Sequence, residues 1–494
     1  MNLPWTETGT IPAPPRLSRW WIFMGVVIGL LFLVAIQLPL KWFVFLFASS
    51  LIFIVSLALE RKREFFLLCL LVLSVPFWMG MHIYYHQTPF GRSTFGFPIH
   101  ASFIPLAALY LIWASRRVFW KIPAPISTRG LLPLAGLLGA GAVSVLVAGE
   151  PLFAVFDLFA LATSILIFIY ASSEIREIKD LRLVIMLLAG AAAIQATLAL
   201  AQYLTGSALG LDFFGAARTL YGFSGLETLT RVGGLVGHPN QLALFFDLLL
   251  PLSVSLLFLP MRAGLKFLLL VAVFLEVLAL GVTYSRGGIV SSILAIFIIL
   301  LFHWSKRIGL VRAIFAVLFA AVLSLVVLLT VPNPIEKGLL RTEETGYGRV
   351  PLVIVALNVI SHHPTFGVGL NNFVYAARQY DNTPEQLISV WNSPVHNLFL
   401  FIAGELGLVG LTFFLIFVIS ALTALLPALR SPDPFFLCAG AGLLAGLLAF
   451  FGHAQVDYTI WTQNRLLWFV LGLAVSLGRI ARAPLETPPA VATG

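Results

Sequence analysis

The sequence predicts an all-α polytopic membrane protein with about 12 to 14 transmembrane helices and one long exterior loop that contains short helices. The 494 residues are 60% hydrophobic and only 10% charged, which leaves too little polar surface to cover a soluble core. The mean hydropathy is +1.00. Apolar runs of about 18 residues or more recur along the chain, and each can cross a hydrocarbon layer about 30 Å thick.

Fourteen apolar segments are candidate spans, and their order divides the chain into three regions. We expect an N-terminal multi-span region at 1–203, a catalytic membrane region at 204–480 and a short cytoplasmic tail at 481–494. The first apolar run ends without a small-residue cleavage site, which predicts a retained anchor. The spans lie near 20–38, 41–59, 65–83, 100–115, 130–148, 151–171, 181–203, 239–259, 265–283, 288–304, 310–331, 396–426, 435–453 and 464–480.

The distribution of Lys and Arg predicts the orientation in the membrane. Of the 30 such residues, 20 fall on the side of the N-terminus and 10 on the other side, four of these in segment 332–394. Positive charge in short loops marks the cytoplasmic side, so both termini should be cytoplasmic and loop 332–394 periplasmic. The net charge of +9 then reflects topology and an affinity for anionic lipid. No basic cluster indicates nucleic acid.

One histidine lies at the start of an apolar segment that is predicted to be a helix, "NSPVHNLFLFIAGELG". Ser393 as N-cap and Pro394 at the first helical position would place His396 in the first turn. The positive end of the helix dipole disfavours imidazolium, so the ring should be neutral and able to accept a proton from a hydroxyl. The alternative is an interfacial histidine hydrogen-bonded to Glu405 or to a carbonyl group.

Two arginines could bind an anion at the exterior edge of the membrane. Arg286 lies between two spans in "LGVTYSRGGIVSS", beside Tyr284, and its planar fork of donors suits a diphosphate. Arg349 begins an apolar surface helix in "GRVPLVIVALNVISHHP", for which Pro351 suits the first turn and Pro364 a stop. For each arginine the alternative is a side chain that reaches the lipid headgroups.

Further polar residues precede or open the apolar helices. The segment "LTRVGGLVGHPNQLALFF" supplies Arg231, His238 and Asn240, and Asn397 follows the histidine described above. We take these four, with Tyr284, as candidate substrate-binding residues. Asn240 could instead cap the helix.

Three acids, Asp157, Asp247 and Glu276, fall inside predicted spans and should face the bundle interior, either neutral or paired with a polar partner. No Lys or Arg lies at a matching depth. The sequence contains no "GxxxxGK[ST]", no "HExxH" and no Cys–His cluster, and Cys69 and Cys438 read as packing residues. We therefore expect no cofactor and no metal, and the energy for any reaction must come with the substrate.

The order of these motifs resembles the O-antigen ligase and O-antigen polymerase superfamily over about residues 230–420. The shared pattern is "SRGG", then "SHHPTFGVGLNNF", then "VHNLFLFIAGELGLVGL". The resemblance implies a GT-C-like fold and a metal-independent glycosyltransferase of the bacterial inner membrane. Such enzymes move a glycan from undecaprenyl diphosphate to an acceptor hydroxyl on the lipid A core, on another glycan repeat or on a protein. Fourteen spans exceed the twelve typical of ligases.

The resemblance also implies roles for individual residues. Arg286 and Arg349 look like diphosphate contacts, and His396 looks like the base or a residue that orients the acceptor. We expect direct displacement at the anomeric carbon with inversion. Two other functions remain open: a transporter or flippase of a lipid-linked glycan, and a non-catalytic membrane scaffold for polysaccharide assembly.

Overall fold

The computed structural model describes residues 39–59, 62–119, 126–211, 231–303 and 346–482, with a few isolated positions besides. The chain forms two compact units, residues 1–60 and 61–494. Of the first unit, the described part is essentially helix α1, Leu40–Ala58. The predicted span near 20–38 and nearly all of the one near 310–331 lie outside the described residues.

The described part of the second unit consists of helices and one short β-hairpin. Its helices are α2 Arg63–Ser74, α3 Phe103–Phe119, α4 Leu131–Val147, α5 Pro151–Glu174, α6 Ile178–Thr205, α7 Pro239–Leu256, α8 Ala263–Gly281, α9 Arg286–His303, α10 Gly346–His362, α11 Phe373–Ala377, α12 Leu387–Trp391, α13 Leu398–Ala424, α14 Leu426–Leu429, α15 Pro434–His453 and α16 Arg465–Arg482. Its strands are β1 Gly80–Ile83 and β2 Phe97–His100, which pair antiparallel.

Seven helices within the described residues are long and apolar enough to cross a membrane. They are α5, α6, α7, α8, α9, the continuous stretch Leu398–Leu429 that joins α13 and α14, and α15. Shorter apolar helices occur at Leu40–Ser56, Leu131–Val147 and Arg349–His362. The predicted fold class, an all-α polytopic membrane protein, is confirmed.

The core of the second unit is formed by α7, α15 and α16. Every residue of α16 from Arg465 to Gly478 is buried, and the side chains pack against α5 and α13. Small residues on α15 allow α7 to approach closely: a Cβ added at Gly446 would lie 2.4 Å from the carbonyl oxygen of Leu248. Small residues are typical of helix contacts in membranes, because dispersion contacts between backbones replace the hydrophobic effect there.

The predicted span at 65–83 is wrong. Helix α2 ends at Ser74, two residues before Pro76, and the chain then forms β1 from Gly80. Proline cannot donate the next helical hydrogen bond and restricts the residue before it, so the apolar run continues without a helix. The connection from β1 to β2 carries Arg92 toward helix α13.

The long segment 332–394 contains short helices, as predicted. Helix α10 ends at His362, just before Pro364. The buried residues of α10 recur at helical spacing, and this face packs against α13. They are Leu352, Val355, Ala356 and Val359.

Helix α13 is broken at Gly407, whose φ of +67° and ψ of −174° are not helical. The segment after α10 supplies the missing partners: Leu408 N–H donates to the carbonyl of Pro364 (2.7 Å), and Gly369 N–H donates to the carbonyl of Glu405 (2.9 Å). Broken helices are tolerated at membrane depth only where another part of the protein satisfies the freed backbone groups.

Candidate functional site

The start of helix α13 differs from the prediction. Asn397 is the N-cap, and its side-chain oxygen accepts hydrogen bonds from Phe399 N–H and Leu400 N–H, each 3.0 Å long. His396 therefore precedes the N-cap, and its predicted position in the first helical turn, with Ser393 as the cap, is wrong. Asn397, a candidate substrate ligand, serves as a cap.

His396 is paired with an acid that the sequence analysis did not single out. Its Nδ1 lies 3.2 Å from Oδ1 of Asp457, and the rings of His396 and Tyr458 form a T-shaped pair with a centroid distance of 5.3 Å. The Asp457 side chain is 5% exposed and that of His396 is 21% exposed. Tyr458 N–H also donates to Asp457 Oδ1 (2.8 Å).

The environment of Asp457 keeps it ionised. Burial acts to raise the pKa of Asp457, but the hydrogen bond and charge of His396, with smaller effects from His453 and His238, bring it well below its usual value. An ionised carboxylate accepts a hydrogen bond from Nδ1–H of His396. In the neutral ring, Nε2 is then the acceptor nitrogen. No described residue forms a hydrogen bond with that Nε2. The Asp457 carboxylate thus favours the tautomer of His396 that carries its proton on Nδ1.

Three of the predicted ligands meet beside this pair. Arg231 is buried, and it donates from Nε to the carbonyl of Thr283 (2.8 Å) and from Nη2 to Oδ1 of Asn240 (2.6 Å). His238 caps α7 by accepting Asn240 N–H on Nδ1 (3.2 Å). These contacts bring the loop before α7 and the loop before α9 together.

The ring of His238 is electrically neutral near pH 7. Burial lowers its pKa to about 4, against the raising effect of Asp457 and with the charges of Arg231 and His396 lowering it further. The same charges place His238 within electrostatic range of Asp457 and His396. The predicted residues Arg231, His238 and His396 thus belong to one cluster.

The "SRGG" motif is held by a buried chain of polar side chains. Ser285 Oγ lies 3.2 Å from Nε2 of His453, whose Nδ1 lies 2.7 Å from Oδ2 of Asp247. Ser292 Oγ donates to the other oxygen of Asp247 (2.8 Å). This chain joins α7, α9 and α15. His453 was not predicted, because a histidine at the end of an apolar run shows no spacing that indicates a partner.

The two glycines of the motif make room for His453. A Cβ added at Gly287 would lie 2.6 Å from Cδ2 of the His453 ring, and one added at Gly288 would lie 2.8 Å from the Cβ of Ala243. The ring thus fixes the first turn of α9. Arg286 is the first residue of that helix, so its position depends on this packing.

Two predicted site residues, Tyr284 and Arg349, are outside the hydrogen-bonded contacts described above. Tyr284 adopts a left-handed φ of 52°, and its hydroxyl lies 3.3 Å from that of Tyr203. Arg349 is half-buried near the start of α10. Among the described residues, no hydrogen bond or ion pair joins Arg349 to His396 or Arg286.

The three acids predicted to lie inside the bundle are buried there, each with a polar partner. Asp247 binds His453 and Ser292 as described. Thr462 donates to Asp157 (2.9 Å) and Ser253 to Glu276 (3.0 Å). Within the described residues, no group of three or more His, Cys, Asp or Glu side chains is arranged to hold a metal ion.

The arrangement combines the His396 imidazole with the buried guanidinium group of Arg231. An oriented imidazole can take a proton from a hydroxyl, and guanidinium groups can neutralise charge on a leaving phosphate. Arg231 is tied to the loop that leads into Arg286, and His238 links that region to Asp457. The cluster suits the displacement of an anionic leaving group by a hydroxyl.

Comparison with known proteins gives one family. Residues 267–415 match the protein family described as O-antigen ligase. The matched range contains Arg286, Arg349 and His396, whereas Arg231 and Asp457 lie outside it. A search of curated proteins gave no match.

Proposed function

We propose that the protein is a membrane glycosyltransferase, because its residues 267–415 match the O-antigen ligase family. The donor is a glycan on undecaprenyl diphosphate, and the acceptor is a hydroxyl of the lipid A core or of another glycan repeat. The observation that carries the proposal is the His396–Asp457 pair, which lies near the buried Arg231 and the neutral His238. The reaction needs no metal ion in this proposal.

The proposed reaction is a single displacement with inversion. The acceptor oxygen attacks the anomeric carbon and its proton passes to Nε2 of His396. The bond from that carbon to the diphosphate oxygen breaks, and its electron pair leaves with the diphosphate. Arg286 and Arg349 neutralise the leaving charge, and Asp457 stabilises the imidazolium that forms.

The binding residues have supporting roles in this scheme. Arg231 and Asn240 hold the two loops in register, and His238, Tyr284 and Asn397 border the donor. In an alternative scheme, His396 positions the acceptor hydroxyl and little proton transfer occurs in the transition state. General base catalysis contributes about 10² to 10⁴ in rate, so His396→Ala should retain a measurable residual rate.

We propose that the reaction takes place at the periplasmic face of the bacterial inner membrane. Both termini are then cytoplasmic and segment 332–394 is periplasmic, which follows from the Lys and Arg distribution. Residues 1–203 would provide membrane packing and 204–480 the catalytic part. Labelling of single cysteines introduced at Asn382 and Ser431 of a chain without Cys69 and Cys438 would test the two sides: a membrane-impermeant thiol reagent should reach the first from the periplasm and not the second.

The decisive assay uses purified protein in lipid vesicles with a labelled undecaprenyl-diphosphate oligosaccharide and a chelator. We expect wild type to release free prenyl diphosphate and to transfer the label to the lipid A core or a second repeat. His396→Ala should lower this release at equal protein level. Absence of release with every acceptor offered would contradict the proposal.

A flippase is the second candidate, because Asp247 and His453 form a buried acid–histidine pair within the helices, as proton-coupled transporters do. In the same vesicles, movement of the intact labelled lipid between leaflets without release would support this candidate. A non-catalytic scaffold would show neither activity, and variants of His396 or Arg286 would leave polysaccharide assembly in cells unchanged.

A further inference from the structure

A polar cavity lies beside His396 and contains none of the residues assigned above to the diphosphate. Its volume is about 190 Å³, smaller than the 300 Å³ or more typical of a drug-sized ligand. Its polar lining includes Arg92, Asn371 and Glu405, and its aromatic lining includes Phe401 and Tyr458. The mixture of charged, amide and aromatic groups is typical of a site for a small, hydroxyl-rich molecule.

Two buried polar atoms of the residues in this lining form no hydrogen bond of normal geometry within the described part of the chain. Arg92 is fully buried; it pairs with Glu150 and donates to the carbonyl of Asn371, but its Nε forms no hydrogen bond with a described residue. Glu405 Oε1 accepts Asn371 N–H (2.8 Å), whereas Oε2 has no hydrogen bond of normal geometry, although the Trp461 indole lies close by.

Such atoms are rare in folded proteins, because burying a polar group without a partner is costly. A ligand that completes this site must form hydrogen bonds with the Glu405 carboxyl group and accept one from Arg92. A sugar hydroxyl does both, because it can donate and accept. A lipid chain can do neither.

Two motifs of the sequence build the wall of this cavity. The segment "GVGLNNF" lies against "GELG" of α13: Gly369 N–H donates to the carbonyl of Glu405, and a Cβ at Gly367, where φ is +65°, would lie 2.4 Å from the carbonyl carbon of Glu405. This close approach sets Asn371 against the Glu405 side chain. The glycines therefore serve the cavity, and the mechanism above gives them no other role.

The cavity is adjacent to the proposed base. Tyr458 lines it and packs edge-on against the His396 ring, and Pro394, two residues before His396, lines it as well. None of Arg231, Arg286 and Arg349 lines it. Inversion requires the attacking hydroxyl and the leaving diphosphate on opposite faces of the anomeric carbon, so the acceptor needs a site separate from those arginines.

We propose that this cavity binds the sugar of the acceptor that carries the attacking hydroxyl. The inference rests on the proposed glycosyltransferase function and adds to it the position of the acceptor. Aromatic Tyr458 and Phe401 contact the ring, and Glu405 and Arg92 bind its hydroxyls.

The kinetic test is Glu405→Gln, which keeps a side-chain oxygen for Asn371 N–H and replaces the carboxyl group by an amide. We expect the KM for the acceptor to rise at least tenfold and the KM for the lipid-linked donor to change less than twofold. The matched control is Glu276→Gln, a buried carboxylate bound only to Ser253 in the described part of the chain, which should behave as wild type. A rise in the donor KM alone, or no change in either KM, would overturn the acceptor assignment.

A binding measurement separates this inference from the proposed reaction. Saturation-transfer NMR with His396→Ala protein would use lipid A core oligosaccharide and free repeat-unit oligosaccharide as probes. We expect one of them to bind, and binding to be lost when Glu405→Gln or the cavity-filling Ser93→Leu is added. Binding without transfer by wild type would contradict the reaction and keep the saccharide site; no binding of either probe would overturn the site itself.

Discussion

The substitution Asp457→Asn tests whether the His396–Asp457 pair acts as a unit. The carboxylate lies 3.2 Å from Nδ1 of His396. At that separation the attraction between an imidazolium and a carboxylate is about 5 kcal/mol at an effective dielectric constant of 20 and about 1 kcal/mol at 80. The two side chains are 21% and 5% exposed, so we take about 3 kcal/mol, which corresponds to about a hundredfold in rate.

We therefore expect the kcat of Asp457→Asn to fall about a hundredfold, while the KM for the donor changes by less than about threefold. The neutral amide no longer stabilises the imidazolium, and it can donate to Nδ1 and so place the ring proton on Nε2, where it blocks proton uptake. Release of labelled prenyl diphosphate in lipid vesicles gives both constants.

Two controls make the result interpretable. Asp433→Asn changes an acid that caps α15 by accepting Phe435 N–H (2.8 Å), a role that Asn fills equally well, so this variant should retain full activity. Combining Asp457→Asn with His396→Ala should cost no more than His396→Ala alone, because both changes remove one function. A kcat for Asp457→Asn within threefold of wild type would refute the paired-base reasoning.

Three further outcomes follow from the geometry. Gly287→Ala should lower the rate of glycan transfer in lipid vesicles about tenfold or more, since its Cβ would lie 2.6 Å from the His453 ring. Gly264→Ala, where a Cβ meets nothing within 4 Å, should leave this rate unchanged. His238→Asn keeps the helix cap. Wild type should lose about 2 kcal/mol of stability between pH 7 and pH 5 through this residue, because histidine in the unfolded chain binds a proton below pH about 6.5, whereas His238 in the folded protein binds one only near pH 4. The variant should not show this part of the loss. Thermal unfolding in detergent at pH 7 and pH 5 measures this, and an unchanged difference would contradict it. Asn397→Ala should cost about 1 kcal/mol of stability through loss of the cap, and an unchanged unfolding midpoint would argue against that role.

The sequence predicts the fold class well because hydrophobic length is a local property. It places the ends of helices less well, because competing signals occur close together. Ser393 and Asn397 are both good caps, and only the folded chain shows that Asn397 reaches the helix N–H groups. Pro76 and Gly80 interrupt the apolar run 65–83, which hydropathy alone predicts to be one span.

The candidate site is predictable only in part, for a related reason. His396 and Arg286 stand out because ionisable residues beside apolar helices are few. Asp457 follows His396 by 61 residues, and His453 closes an ordinary apolar helix, so nothing in the linear order pairs them. An acid in the short segment "HAQVDYT" between two spans is the one local signal that could have indicated Asp457.

The break in α13 makes membrane insertion of this helix depend on a segment synthesised before it. Residues 364–369 complete the backbone hydrogen bonds on both sides of Gly407, whose left-handed φ leaves a Cβ no room beside the carbonyl of Thr365. Until that segment docks, the helix enters lipid as a short piece, 398–406, and a longer piece, 408–424, with unsatisfied backbone groups between them. Assembly of this part of the helix bundle is thereby coupled in time to folding of the loop, because a chain whose loop misfolds cannot bury α13 with its backbone groups satisfied.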